Sequence, residues 1–124
     1  MIKGISLTHL FIDCQNPESL SEFYHRLTGW KKETVYDAPS LITENGLVIL
    51  FAVCDTPYIP PVWPEKEGQQ QKQMHFDFTV EDLDGSVDKA IELGATKAPS
   101  QYGENLWVTL LDPEGHPFCF GVNE

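Results

Sequence analysis

Basic side chains are scarce in this chain. Its 124 residues include eight lysines and arginines against nineteen aspartates and glutamates, which gives a formal net charge of −11. A surface with that balance repels phosphate groups, so nucleic acids and anionic membranes are excluded as expected partners. An excess of acidic side chains is typical of a protein whose surface charge keeps it in solution.

Cysteine and long apolar runs are also sparse. The three cysteines, Cys14, Cys54 and Cys119, have neither the spacing of a disulfide framework nor that of a zinc knuckle, which favours a reducing compartment. No stretch approaches the length of a membrane span, and the first residues lack the basic and apolar segments of a signal peptide. We therefore expect a cytoplasmic protein with no membrane partner.

The pattern that organises the chain is a strand that begins near a histidine, and it occurs twice. Residues 75–80 alternate strictly between polar and apolar side chains, which is typical of a half-buried β-strand. The same arrangement is found from His9 to Cys14, within a first strand predicted over about residues 5–14. In each copy a helix-capping residue, Asn16 or Asp82, follows seven positions after the histidine. The chain is therefore interpreted as a duplicated module.

A helix and three short extended segments follow each of these strands. Apolar residues recur at helical spacing up to Gly29 in the first half and from Leu83 to Leu93 in the second. The stretch Leu47–Val53 is apolar on both faces, which predicts a central strand. The other extended segments are 30–36 and 40–44 in the first half and 96–98, 106–111 and 118–122 in the second. Turns are predicted at 37–39, 45–46 and 112–115.

This order predicts an α+β fold of two tandem βαβββ modules. They would form an open, curled eight-stranded sheet made of two half-barrels, with the helices outside. A ferredoxin-like sandwich has fewer strands per helix and is disfavoured. We expect a single domain over residues 1–124, with module one at about 1–54 and module two at about 74–124. The proline-rich segment 55–73 is predicted to be a linker or an ordered flap.

Motifs in both halves resemble the vicinal oxygen chelate superfamily, which is the glyoxalase, bleomycin-resistance and extradiol-dioxygenase group. The similarity covers His9 with Ser21–Trp30, His75–Leu83 and Leu93–Ala95. The closing run Asp112–Phe118, Asp-Pro-Glu-Gly-His-Pro-Phe, resembles a glyoxalase-like subgroup. The resemblance implies the fold, but it leaves the reaction open, because isomerases, lyases, ring-cleaving oxygenases and non-catalytic binders share this scaffold.

The resemblance also implies where a metal would bind. In metal-dependent members each module offers one ligand on its first strand and one on its last. His9 and His75 match the first-strand positions, and counting from the turn glycines places Leu50 and Cys119 at the others. Leucine cannot ligate a metal, so the implied set is His9, His75 and Cys119 around Zn²⁺ or a similar divalent ion. We expect no other cofactor.

Two functions stay open at this stage. The favoured one is a binding module whose barrel cavity holds a small apolar or aromatic molecule, as in bleomycin-resistance-like relatives, with the usual metal site degenerate because leucine stands at position 50. The second is a lyase, isomerase or dioxygenase-type enzyme that uses the metal or the two histidines as an acid–base pair. A scaffold subunit that contributes only interfaces is a third possibility, and a homodimer is compatible with all three. The candidate ligand-binding residues are Phe11, Val48, Leu50, Trp63, His75, Asp77 and Tyr102.

Two further histidines receive no functional role from the sequence. His25 falls on the exposed face of the first predicted helix, and His116 falls in the last predicted turn. We expect both to be solvated.

Overall fold

A computed structural model describes residues 1–122, which form two helices and eight strands. The chain divides into two compact units, one comprising Met1–Tyr58 and one that begins at Ile59. The first unit contains β1 (His9–Cys14), α1 (Pro17–Thr28), β2 (Lys31–Val35), β3 (Ala38–Ile42) and β4 (Val48–Val53). The second contains β5 (Phe76–Val80), α2 (Leu83–Leu93), β6 (Thr96–Lys97), β7 (Trp107–Leu111) and β8 (Pro117–Val122). The predicted βαβββ order is thus confirmed in both halves.

The two helices begin at the predicted capping residues. The side chain of Asn16 accepts a hydrogen bond from the backbone N–H of Ser19 at 3.1 Å, and that of Asp82 accepts one from Gly85, also at 3.1 Å. Each cap satisfies an N–H that has no partner inside the helix. Neither helix in the part of the chain described is long and apolar enough to cross a membrane.

The first sheet has the strand order β1-β4-β3-β2, in which β1 and β4 are parallel and the other pairs are antiparallel. As predicted from its apolar sequence, β4 is an interior strand. Its Phe51 stacks on Tyr24 of α1 with the ring centroids 6.0 Å apart. The buried core of this unit also includes Cys14, Leu20, Phe23, Leu41 and Ile49.

The second sheet has the equivalent order β5-β8-β7-β6. Phenylalanines dominate its core, because β5 and β8 place them directly opposite one another. Neighbouring rings lie 5.4 to 6.1 Å apart, in tilted or edge-on arrangements. Val87 and Ala90 of α2 are buried as well.

The strand registers show that the two units are structural repeats. Phe11 of β1 lies opposite Leu50 of β4, and Asp77 of β5 lies opposite Cys119 of β8. Phe11 and Asp77 each come two residues after the module's histidine. Leu50 and Cys119 therefore occupy equivalent positions, as counting from the turn glycines predicted.

The hairpin between β2 and β3 differs from the prediction. Its turn consists of Tyr36 and Asp37, with φ values of 52° and 60°, and lies one residue earlier than expected. A two-residue loop with positive φ at both positions matches the twist of the flanking strands. Pro39 consequently belongs to β3. It is tolerated there because β3 pairs with β4 only from Ser40 onward, so no ladder bond needs its missing N–H.

The other two hairpin turns are built alike. Thr43 and Asp112 each donate a backbone hydrogen bond of 2.9 Å to the carbonyl four residues later. Their side chains then accept the backbone N–H of that same residue, at 3.1 Å from Leu47 and 3.1 Å from His116. The glycine predicted in each turn adopts a positive φ. A polar residue at the start of each turn thus performs the same role in both units.

The prediction that His25 and His116 are solvated is wrong. The Nδ1 atom of His25 lies 2.7 Å from the carbonyl oxygen of Trp30, and that of His116 lies 2.9 Å from the carboxylate of Asp112. Both histidines are half-buried. Local sequence does not reveal these two contacts, because the fold of the backbone next to each histidine brings the partner group to the ring.

Candidate functional site

His9 opens the candidate site of the first unit. As the first residue of β1 it is half-buried, and its Nδ1 atom lies 2.7 Å from the hydroxyl of Thr8. Its ring centroid is 5.5 Å from that of Tyr36, at the tip of the β2–β3 hairpin. Phe11, on the same face of β1 because strand side chains alternate, is 55% exposed. Three rings therefore lie on or over one face of the first sheet.

The remaining predicted residues of the first unit are apolar. Val48 lies opposite His9 and is half-buried, and Leu50 lies opposite Phe11 with no exposed surface. Neither side chain carries a metal-binding atom. The histidine is the only metal donor that these paired positions supply.

The equivalent face of the second unit is polar. His75 directly precedes β5 and is exposed, as is Asp77 within the strand. Cys119 is buried opposite Asp77, and its sulfur lies 3.3 Å from the hydroxyl of Thr109 on the neighbouring strand. Asp77, Cys119 and Thr109 thus occupy adjacent positions on three neighbouring strands.

Burial raises the pKa of the Cys119 thiol above its ordinary value. The hydrogen bond from Thr109 acts in the opposite direction, the negative charge of Asp77 raises the pKa further, and the positive charge of Lys72 lowers it. Because the net shift is upward, this cysteine is a neutral thiol at pH 7. It is therefore a poor nucleophile.

The second unit also contains an aromatic pair. The rings of Trp63 and Tyr102 are 5.9 Å apart in an edge-on arrangement. The Trp63 indole N–H donates to the carbonyl of Ser100 at 3.1 Å, which fixes the orientation of the ring. The Nζ atom of Lys72 lies 4.8 Å from the Trp63 ring and 2.5 Å from the carboxylate of Glu65. Lys72 thus contacts both Trp63 and Glu65.

The loop that carries Tyr102 is held to β7 by a glutamine. The side chain of Gln101 donates to the carbonyls of Ala98 and Thr109, at 2.9 and 2.7 Å, and accepts the Thr109 N–H at 2.9 Å. These bonds take the place of some of the backbone hydrogen bonds that a neighbouring strand would make to β7. Although Tyr102 is 59% exposed, its backbone is therefore anchored.

Neither unit by itself supplies the donors of a divalent-metal centre. Among residues 1–122, no three or more histidine, cysteine, aspartate or glutamate side chains are arranged to hold a metal ion. The first unit offers only His9 at the relevant positions, and the second unit carries His75, Asp77 and Cys119 without such an arrangement. The set of His9, His75 and Cys119 draws on both units and stays a prediction.

Comparison with protein families identifies this architecture. The family model described as the glyoxalase-like domain matches residues 9–121, which is most of the chain. The chain belongs to the glyoxalase-like family. This family lies within the glyoxalase, bleomycin-resistance and dioxygenase superfamily, so the resemblance noted in the sequence is confirmed. No curated protein sequence matches the chain.

Solved structures of this superfamily share the fold of our glyoxalase-like protein. A glyoxalase/bleomycin resistance protein/dioxygenase family enzyme from Burkholderia phytofirmans PsJN aligns with a TM-score of 0.69 and 21% identity, over 95% of this chain and 98% of its own. A fosfomycin resistance protein from Listeria monocytogenes aligns with a TM-score of 0.69 and 17% identity, over 100% and 94%. A glyoxalase/bleomycin resistance protein from Albidiferax ferrireducens T118 gives 0.65 and 16%, over 94% and 98%. Identities this low establish the fold alone.

Three residues of this glyoxalase-like protein were missed by sequence reasoning. Thr109 was detectable, because its alternation along β7 puts it on the face that Cys119 occupies. Nothing in the sequence indicated that Tyr36 would approach His9 or that Lys72 would lie over Trp63. Both contacts depend on how a turn and a proline-rich segment fold back on their unit.

Proposed function

We propose that this glyoxalase-like protein binds a small aromatic or apolar molecule on the face of its second unit, without metal-dependent chemistry. The ligand would stack on Trp63 and Tyr102, with its polar end toward Asp77 and the exposed His75. The observation that carries the proposal is the ordered pair of Trp63 and Tyr102, in the unit that also exposes His75 and Asp77.

The aromatic pair supports binding because its position is set before any ligand arrives. Trp63 is held by its bond to Ser100, and Tyr102 follows directly on Gln101, which is anchored to β7. Rings that are already ordered lose little conformational entropy when they bind. Tyr102 presents more than half of its surface to solvent, so a ligand has access to it.

The polar groups support binding rather than catalysis. Cys119 is buried and neutral, and its hydrogen-bond partner is a hydroxyl rather than a base. A nucleophilic thiol needs a lowered pKa and a neighbouring base. Apolar pockets with a few polar groups are the usual form of small-molecule sites.

Indole chemical shifts test this proposal. In ¹⁵N-labelled protein we expect the Trp63 indole N–H signal to move saturably when indole is titrated in as the probe. Replacing Tyr102 by alanine should weaken that binding about fivefold, because one stacking partner is lost. Tyr102→Phe keeps the ring and should bind nearly as well as the parent. An unmoved Trp63 signal, or equal affinity in the alanine variant, would contradict the proposal.

The alternative is an enzyme in which a divalent ion, or an acid–base pair that includes His75, performs the chemistry. The exposed imidazole of His75 near Asp77 favours it. Elemental analysis of protein purified without added metal separates the two. We expect less than about a tenth of an equivalent, unchanged in a His9→Ala/His75→Ala variant; a stoichiometric metal lost in that variant would favour the enzyme. A cytoplasmic location and a homodimer remain part of this proposal, since the cysteine spacing in the sequence does not match a disulfide framework and both four-stranded sheets have edge strands.

A further inference from the structure

Tyr36 has a backbone conformation that its residue type disfavours. Its φ is 52°, within the left-handed region that glycine, asparagine and aspartate tolerate and that other side chains rarely adopt. The next residue, Asp37, has a φ of 60° but belongs to the tolerant group. In a two-residue hairpin turn of this kind, asparagine is the favoured first residue. Tyrosine at this position therefore costs stability.

Burial does not compensate for that cost. Tyr36 is 71% exposed, so its ring gains little from the hydrophobic effect. Its described contact is with His9, where the centroids lie 5.5 Å apart and the ring planes are inclined by 40°. A strained residue that the core does not require is a reason to look for a function.

The two rings offer polar groups as well as aromatic surfaces. The Nδ1 atom of His9 is occupied by Thr8. Within residues 1–122, neither the other ring nitrogen of His9 nor the phenol oxygen of Tyr36 has a hydrogen-bond partner. A ligand hydroxyl can both donate and accept, so it suits the imidazole nitrogen in either tautomer and the phenol together.

The charges around this pair select against an anion. Asp37 follows Tyr36 in the turn, and Asp13 is exposed on the face of β1 that carries His9. The chain as a whole has a formal net charge of −11. A carboxylate ligand would be repelled, whereas a neutral ring with a hydroxyl group would not.

We propose that Tyr36 is a ligand-binding residue which, together with His9, receives a neutral phenolic ring in the first unit. Phe11, exposed and two residues beyond His9, provides a further aromatic surface. This site is argued from contacts within the first unit alone. Each of the two proposed sites has its own reporter, because the backbone amides of His9 and Tyr36 report on this site and the Trp63 indole reports on the other.

Titration of the full-length ¹⁵N-labelled protein with phenol tests the inference. We expect saturable shifts of the His9 and Tyr36 amide signals, and none with benzoate at the same concentrations. Tyr36→Asn removes the ring and relieves the strain. It should weaken phenol binding about fivefold or more, read from the His9 amide, while the melting temperature rises by about 2–3 °C.

Tyr36→Phe is the matched control, because it keeps the ring and the strain and removes only the hydroxyl. It should melt at the parent's temperature and bind phenol about two- to threefold more weakly. Three results would overturn the inference: the parent shows no phenol-dependent shift at His9, Tyr36→Asn binds phenol as tightly as the parent, or Tyr36→Asn melts lower. The last result would mean that the ring is part of the packing.

Discussion

The carboxylate of Asp112 should stabilise the second unit more than any other polar side chain in its turns. It is fully buried, and it accepts the backbone N–H of Glu114 at 2.9 Å and that of His116 at 3.1 Å. It also lies 2.9 and 3.0 Å from the Nδ1 atom of the His116 ring. Asp112→Ala removes all of these interactions at once.

The cost of that change follows from the groups left behind. Hydrogen bonds to a charged acceptor contribute about 1.5–3 kcal/mol each, and a donor left buried without an acceptor loses about 1–3 kcal/mol. The His116 ring is about one-fifth exposed, so water replaces part of its lost bond. We therefore expect Asp112→Ala to lower the free energy of unfolding by about 3 kcal/mol. Asp112→Asn keeps an oxygen for the backbone and should cost about 1–1.5 kcal/mol, through the loss of charge assistance.

Thr43 provides the control inside the same molecule. It occupies the equivalent position in the first unit, where its neutral hydroxyl accepts a single backbone N–H, from Leu47 at 3.1 Å. Thr43→Ala should therefore cost only about 1 kcal/mol. The comparison holds the turn geometry constant and varies the charge and the number of bonds.

Urea unfolding at pH 7, followed by tryptophan fluorescence and by circular dichroism, measures these differences. Each variant should shift the midpoint without changing the slope of free energy against urea, because the surface exposed on unfolding is unchanged. If Asp112→Ala costs no more than Thr43→Ala, the buried carboxylate does not carry the role that its contacts assign to it.

Two other predictions concern Gly103 and Cys119 of the second unit. A Cβ at Gly103 would meet the backbone oxygen of Trp107 and lie 2.5 Å from its ring, whereas one at Gly121 would be 3.5 Å from its nearest neighbour. Gly103→Ala should thus lower the free energy of unfolding by about 2–3 kcal/mol and Gly121→Ala by less than about 1 kcal/mol, and similar urea midpoints would contradict this. Because Cys119 is buried and burial raises the pKa of its thiol, iodoacetamide should label half-buried Cys54 before Cys119 at pH 7. Peptide mass spectrometry across a pH series checks this, and early labelling of Cys119 would refute it.

Features encoded within a few residues were predictable from the sequence. The caps at Asn16 and Asp82 were correct because each acts on an N–H only three residues away. The equivalence of Leu50 and Cys119 was also correct, since a turn fixes the register of the strand that follows it. The βαβββ order followed from the same local signals.

Features that depend on conformation or on distant contacts were not predictable. The turn at Tyr36 was misplaced because proline suggested a break, and tyrosine gives no signal for a positive φ. His116 was expected to be solvated, although its neighbour Asp112 is buried. The approach of Lys72 to Trp63 depends on how the proline-rich segment folds, which composition does not specify.

The strand register also limits how a metal site of the kind the family resemblance implies could be restored. A glutamate in place of Leu50 would lie opposite Phe11, on the face that carries His9. That position has no exposed surface, so the carboxylate would lose its hydration before any ion compensated for the charge. An uncompensated buried charge costs several kcal/mol, a large fraction of the stability of a small protein. Leu50→Glu alone would therefore destabilise the first unit. For the glutamate to act as a metal ligand, the side chains around position 50 would first have to change so that water reaches the carboxylate.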